Sequence, residues 1–404
     1  MGYRKTYTRR EMLKTSGNVL GFSMLAAIVP GLAREAAAAG EELVVGFIYT
    51  GPKDDFGWNQ SHAVAAQQIA EMDNVRVLEQ ENVPETEEVS NVMQSMIELD
   101  GASVVFPTSF GFWDFILDLA PRYENVLFVH AGARWEDGDP ENTIGYRGYM
   151  EEGHYCAGIA AGRLTENNRI GFVGPHPTYF TFNNCNGFTM GARSVNSDVT
   201  CRVILTGSWN DPTREAEAVN SMIDQGVDVI VANVDSPQVA IETAEKRGIY
   251  SVGYHTDQSD LAPEGFITGT EWNWGRGADF VKAWRNDGDY PNLLRGGFAE
   301  DMIVLSPFGQ AVTDEIQEEV LAAREGFRDG SLYFYKGPLK DADGNVKLEE
   351  GETVENDDHE LKPPTIHFRV EIESGNPITH AASVVLGHRL ESVTGLLGVR
   401  SDFG

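Results

Sequence analysis

The chain has 404 residues, 41% of them hydrophobic, and a formal net charge of -31 at pH 7. That length and apolar content allow two or three domains with substantial cores. So large an acidic surplus argues against nucleic acid and anionic lipid as partners, because such a surface repels both, and its dispersal is read as the mark of a salty habitat.

The first residues carry a targeting signal. Arg9-Arg10 followed by Glu11-Met12-Leu13-Lys14 is a twin-arginine signature, 19–29 is a short apolar run, and Ala36 to Ala39 are small residues suited to cleavage. The apolar run is too short to span a bilayer, no other segment reaches the required ~20 residues, and no Cys follows it to take a lipid. Residues 1–39 are expected to be a twin-arginine signal peptide. The mature chain is expected to be exported to the periplasm or extracytoplasmic space and not to span the membrane itself.

From residue 43 onward strands and helices alternate. The run 43–49 has the length and β-branched content of a buried strand, a turn-rich loop follows, and 60–72 is helical. Strand 75–78, helix 86–99, strand 103–106, helix 112–123 and strand 126–129 complete a first series. A long helix, 150–164, opens a second. Strand 170–173 precedes helix 182–195, strand 201–205 precedes helix 212–225, strand 227–231 precedes helix 237–247, and 250–253 is a further strand. Asp211-Pro212 and Ser236-Pro237 are helix starts, with a capping side chain before a proline in the first turn. Gly226 and Gly248 stand where helix-ending glycines belong. Such alternation implies parallel sheets covered on both faces, and two series of similar size imply two Rossmann-like lobes with a cleft between them.

Cysteine usage is sparse. Cys185 early in one helix and Cys201 at the start of the next strand are expected to lie too far apart for a disulfide, since ten helical residues rise about 15 Å. Cys156 falls in an Ala/Gly-rich helix and is expected in the core. No GxGxxG follows a strand, and there is no Walker lysine, Gly-x-Ser-x-Gly elbow, HExxH or spaced Cys/His cluster. No cofactor, metal or catalytic group is therefore assigned.

The carboxyl ends of the strands carry the chemistry. They bear Asp55/Trp58/Asn59, then Thr108-Ser109-Phe110-Gly111, Tyr179-Phe180, Ser208-Trp209-Asn210, Asn233-Val234-Asp235-Ser236, Tyr254-His255-Thr256-Asp257 and Glu271-Trp272-Asn273-Trp274. Aromatics alternate with carboxylates and amides. That set suits a flat, uncharged heteroaromatic ligand clamped between rings, with polar groups reading its edge. The competing reading of each residue is structural: a helix-capping Asp, a core Trp. His255 and Asp257 are also the pair an exported hydrolase would use as acid and base, but no nucleophile accompanies them.

Gly57-Trp58-Asn59, Thr108 to Gly111, Ser208 to Pro212, Ile223 to Val229, Asp235-Ser236-Pro237, Gly253 to Asp257, Trp272 to Gly275 and Pro307-Phe308-Gly309 resemble the BMP (basic membrane protein) family over roughly residues 43–350. That family comprises substrate-binding proteins of ABC transporters, related to purine nucleoside receptors. The resemblance implies an α/β type I periplasmic binding protein fold: two Rossmann-like lobes, a hinge crossed three times, and an interlobe cleft that closes on its ligand before delivery to the permease. The lobes would be 41–150 with 277–300, and 151–276 with 301–350, leaving 351–404 as an unassigned tail. It places the base-reading roles on Asp55 and Asn59 and the stacking role on Trp58, with Phe180 or Trp209 as the second aromatic and Asp235 and Asp257 beyond. Ser109, Phe110, His255, Trp272 and Asn273 complete the candidate set. Nucleoside-binding members hold ribose with an Asp and a Lys, whereas the late loop here has no Lys, which points to a free purine base such as adenine. Riboflavin-like or autoinducer-like ligands, and a signalling receptor in place of an importer subunit, are the alternatives.

Overall fold

The computed structural model describes residues 42–132, 134–333, 335–340, 345–354 and 372–374. The twin-arginine signature and its apolar run lie outside the described residues.

The chain divides into two compact units. One holds the described residues up to Tyr149 together with Glu271–Val304, and the other holds Met150–Thr270 and the described residues from Leu305. The chain thus passes between units at three points. The expected boundaries had assigned 271–276 and 301–304 to the second lobe, but these residues belong to the first unit.

In the first unit the opening strand β1 (Leu43–Ile48) is buried along its whole length. It leads through a loop into α1 (Trp58–Ala70), then β2 (Val75–Gln80), α2 (Glu88–Glu98), β3 (Ala102–Pro107), α3 (Trp113–Leu119), β4 (Leu127–Ala131) and β5 (Thr143–Gly148). The last two elements of this unit arrive much later in the chain: α8 (Gly277–Arg285) and β11 (Leu293–Gly296). The sheet order is β11-β5-β4-β3-β1-β2, with parallel pairing throughout. Val44, Ile48, Val105 and Phe128 from one sheet face pack against Val89, Met93 and Met96 of α2 and Trp113 and Ile116 of α3. Burial on both faces explains why these strands read as continuous apolar runs and do not alternate.

The second unit repeats the plan. It contains α4 (Met150–Leu164), β6 (Arg169–Gly174), α5 (Tyr179–Val195), β7 (Thr200–Leu205), α6 (Pro212–Asp224), β8 (Val229–Ala232), α7 (Gln238–Lys246), β9 (Tyr250–His255) and α9 (Asp314–Asp329). Two strands that cross the unit boundary along the chain, β10 (Phe266–Trp272) and β12 (Ile303–Leu305), join its sheet. Its sheet runs β12-β10-β9-β8-β6-β7 and gains a seventh strand, β17 (Ile372–Ser374), parallel to β7. The start of α6 follows expectation: the Asp211 carboxylate accepts the Arg214 N–H, and Pro212 sits in the first turn. The start of α7 does not, because Pro237 occupies the cap position and no side chain caps there. Gly226 and Gly248 end their helices with φ of +85° and +70°, the left-handed conformation that glycine adopts without a Cβ clash.

Helices α4 and α5 approach closely enough to touch backbone to backbone. A Cβ added at Gly191 would fall 1.9 Å from the Tyr155 carbonyl oxygen, at Gly158 2.2 Å from that of Phe188, and at Gly187 2.4 Å from that of Glu151. Glycine is required at these three places by the space and not by φ. Nearby, Tyr335 of the short strand β13 (Tyr335–Lys336) is fully buried. Its hydroxyl donates to Asn183 Oδ1 and accepts from Asn186 Nδ2, both at 2.9 Å.

The three cysteines are buried free thiols. Cys185 and Cys201 are not separated as expected: the Cys185 thiol lies in hydrogen-bonding contact with the Cys201 thiol, which together with burial pushes its pKa well up. The rise along α5 does not separate them, because their side chains meet across the layer. After β13, the short strands β14 (Leu339–Lys340) and β15 (Val346–Leu348) pair antiparallel, and the tail expected at 351–404 contributes β16 (Thr353–Val354), antiparallel to β13, and the edge strand β17.

Candidate ligand-binding site

Strand order locates the sites. β1 lies between β2 and β3, so the chain turns one way after β1 and returns on its other side; β6 lies likewise between β7 and β8. Ligands of open α/β sheets bind outside the carboxyl ends of strands at such switch points. In the first unit these ends carry the loops 49–57 and 108–112, and in the second the loops 175–178 and 233–237.

The loop after β1 is held by its own polar groups. Asp55 Oδ1 accepts the backbone N–H of Gly57 and of Gln60, both at 2.9 Å. Its Oδ2 accepts Asn59 N–H at 3.1 Å and Asn59 Nδ2 at 2.8 Å. Four donors fill the acceptor positions of a carboxylate. Burial raises the Asp55 pKa and those four hydrogen bonds oppose the rise. Asn59 Oδ1 in turn accepts from Thr50 N, Thr50 Oγ1 and Gly51 N. The two residues expected to read a ligand edge are thus spent on closing the loop over the first turn of α1. Phe56 between them has φ +52°, a strained conformation for an aromatic residue.

What this lattice presents is Trp58. Its indole N–H donates to the Thr108 carbonyl at 2.7 Å, tying the loop after β1 to the end of β3. Trp272 and Trp274 stack on each other at 4.6 Å, and each meets Trp58 edge-on, at 5.9 and 5.7 Å. Trp58 itself is half-buried. The Trp272-Asn273-Trp274 loop therefore belongs with the first-unit aromatics, and Asn273 Nδ2 is engaged by the Asp301 carbonyl at 2.7 Å. Ser109 is buried and its hydroxyl donates to Glu85, which also accepts the Gly111 N–H at 3.1 Å. Phe110 beside it is 51% exposed.

In the second unit Phe180, at the start of α5, stacks on Trp209 with centroids 5.7 Å apart and planes 20° apart. His176 meets the same indole edge-on at 5.1 Å. Trp209 is 40% exposed, and its carbonyl accepts the Asp235 N–H at 2.8 Å, so the loop after β7 is registered against the loop after β8. The two aromatics expected as alternatives are a pair. His255 is buried, with φ +80°. Its Nε2 lies 3.1 Å from the Val234 carbonyl. Burial, with the field of His154, holds its pKa well below the ordinary value. Asp257 is exposed and accepts the Ser259 N–H. A neutral, enclosed imidazole and an exposed turn-capping carboxylate are a scaffold arrangement.

Residues without an obvious motif also shape the rim. Glu85 and Glu215 are the main ones, each an acidic side chain bonded to a strand-end loop. Glu215 is fully buried: Oε1 accepts the Asp211 N–H at 2.9 Å, and Oε2 has no hydrogen-bond partner among the described residues. Burial raises its pKa from 4.5 to about 7, with the nearby Asp211 charge adding to the rise. The folded protein therefore binds this proton more tightly than the unfolded chain. Its contribution is fully present below about pH 4.5 and is lost as pH rises through about 7. The Glu215→Gln variant should accordingly lose less melting temperature than the parent between pH 5 and 8; parallel pH profiles would refute the assignment. The capping spacing Asp211 to Glu215 is visible in sequence, but its burial is not.

The model for the Bmp family, described as PnrA-like ABC transporter substrate-binding protein, matches residues 42–324. The purine-binding protein of Brucella abortus (strain 2308) is 33% identical over 324 residues, covering 79% of this chain and 91% of its own. A Haloferax volcanii protein, TsgA13, named as a candidate ABC transporter glucose-binding protein, is 29% identical, covering 74% of this chain and 75% of its own. Among solved structures, an ABC transporter solute-binding protein from Conexibacter woesei superposes with a TM-score of 0.62 at 20% identity, covering 73% of this chain and all of its own. The fold is thus that of the type I periplasmic solute-binding proteins.

Proposed function

The chain belongs to the Bmp family of PnrA-like ABC transporter substrate-binding proteins, and from that membership we propose that it is an exported receptor delivering a purine-like heterocycle to an ABC transporter permease. Family members are substrate-binding proteins and not enzymes. The observation that carries the ligand class is Trp58: a half-buried indole at the first-unit switch point, fixed by the Thr108 carbonyl and by two further indole edges. A flat ring gains dispersion and stacking from such a face without needing a charge. The purine-binding name of the Brucella relative supports the same class. In the second unit the Phe180–Trp209 pair offers aromatic surface and Asp235 a polar group at that unit's own strand ends. Asp55 and Asn59 act by holding the Trp58 loop. Export by the twin-arginine route and a saline habitat are part of the reading.

Titration calorimetry in high salt with purine bases, nucleosides, riboflavin and glucose tests it. Purines should bind at micromolar concentration or tighter. Trp58→Ala should lose about 1–3 kcal/mol of that affinity, as in base–aromatic stacking elsewhere. Binding of glucose and no purine would sink the ligand class, and unchanged affinity in the variant would sink the role of Trp58.

A further inference from the structure

One cation stands beside the first-unit switch point with its donors uncommitted. Arg134 follows β4 and Phe110 follows β3, adjacent parallel strands whose carboxyl ends share one edge. The Arg134 guanidinium lies over the Phe110 ring, 4.9 Å from its centroid. Its carboxylate neighbour Asp114 is 3.6 Å away and 80% exposed, beyond hydrogen-bond length and in a setting where ion pairs contribute little. Among the described residues none of its N–H groups donates a hydrogen bond. The other basic groups of these loops are spent. Lys53 is bound to Glu79 at 3.0 Å. His130 is fully buried with Nε2 2.8 Å from the Ser109 carbonyl, and burial lowers its pKa to about 4, so it is neutral at physiological pH.

The distribution of spent and unspent groups discriminates between purines. Adenine presents an amino donor beside N7, and reading it takes an acceptor; the carboxylate of Asp55 and the amide oxygen of Asn59 are already filled, and Glu85 is bound to Ser109 and Gly111. A 6-oxopurine presents two acceptors, O6 and N7, on one edge. A guanidinium placed over an aromatic face is held in orientation while its N–H groups point outward, and it donates to such an edge with two parallel bonds. We propose that Arg134 is a specificity-determining residue that reads the O6/N7 edge of a 6-oxopurine, making hypoxanthine-type bases the preferred ligands over adenine. The proposal rests on the purine reading above.

Calorimetry with hypoxanthine and adenine, on the parent chain and on Arg134→Met and Arg134→Lys, tests it. The parent should bind hypoxanthine about tenfold or more tighter than adenine, the discrimination a bidentate arginine provides. Arg134→Met, which keeps the aliphatic stem, should bring the two affinities within about threefold by weakening hypoxanthine, with adenine little changed. Arg134→Lys, which keeps the charge and loses the fork, should fall between them. Equal or tighter adenine binding by the parent, or a preference that survives in Arg134→Met, would overturn the assignment. Failure of the parent to bind either base would overturn the purine reading itself, and this inference with it.

Discussion

Alanine at Gly191 should destabilise the protein by about 3 kcal/mol, the upper part of the range for an overpacked core. The added methyl would stand 1.9 Å from the Tyr155 carbonyl oxygen, an atom of helix backbone that no rotamer change can move. At an exposed helical site the same substitution gains about 1 kcal/mol of helix propensity, so even the sign of the effect reports the helix contact. Thermal and urea melts decide it. A variant as stable as the parent would mean that α4 and α5 do not meet at this glycine.

Asp55→Ala should cost about 2–3 kcal/mol of stability, combining a lost helix cap with buried donors left unsatisfied. It should also weaken ligand binding at least tenfold at temperatures where the variant is folded, because the loop that aims Trp58 loses its centre (~1.4 kcal/mol per tenfold). The four donors that converge on this carboxylate come from three residues just after it in the chain, Gly57, Asn59 and Gln60. Asp55→Asn preserves shape but points an amide N–H₂ at donors, and should fall between the parent and Asp55→Ala. Binding calorimetry alongside melts separates the two consequences. Full affinity in a folded Asp55→Ala would show that Trp58 is placed by its neighbours alone.

Much of the fold was legible in sequence because most of the buried parallel strands are compact apolar runs and helices such as α6 and α7 have Asp-Pro or Ser-Pro at their start and Gly at their end. The helix of Met150–Leu164 was read to the residue. β5 and β10 went unread, since Thr, Gly and charged or polar residues interrupt both (TIGYRG and FITGTEW). The assignment of Trp272 to the second lobe failed because a chain that crosses units three times leaves no local mark at the crossing. At the site, residue types were legible while their commitments were not. Asp55 and Asn59 have the chemistry to read a base, and only three-dimensional contacts reveal that their lone pairs are filled. Arg134 lies in a stretch with no motif, and only its placement over the Phe110 ring distinguishes it.

The pairing of β11 with β5 bears on the order in which the protein can be made. When Gly148 leaves the ribosome, the strand beside it in the finished sheet is still about 145 residues from synthesis, since β11 begins at Leu293. All of Met150–Thr270, most of the other unit, is translated in between. The second unit waits in its turn for Tyr335 to satisfy Asn183 and Asn186. Domains that are continuous in sequence can fold one after another during synthesis. Here each half is interrupted by the other, so the first cannot be completed before Val304 has emerged nor the second before Tyr335, and the edge of β5 stays open to wrong partners until β11 is made.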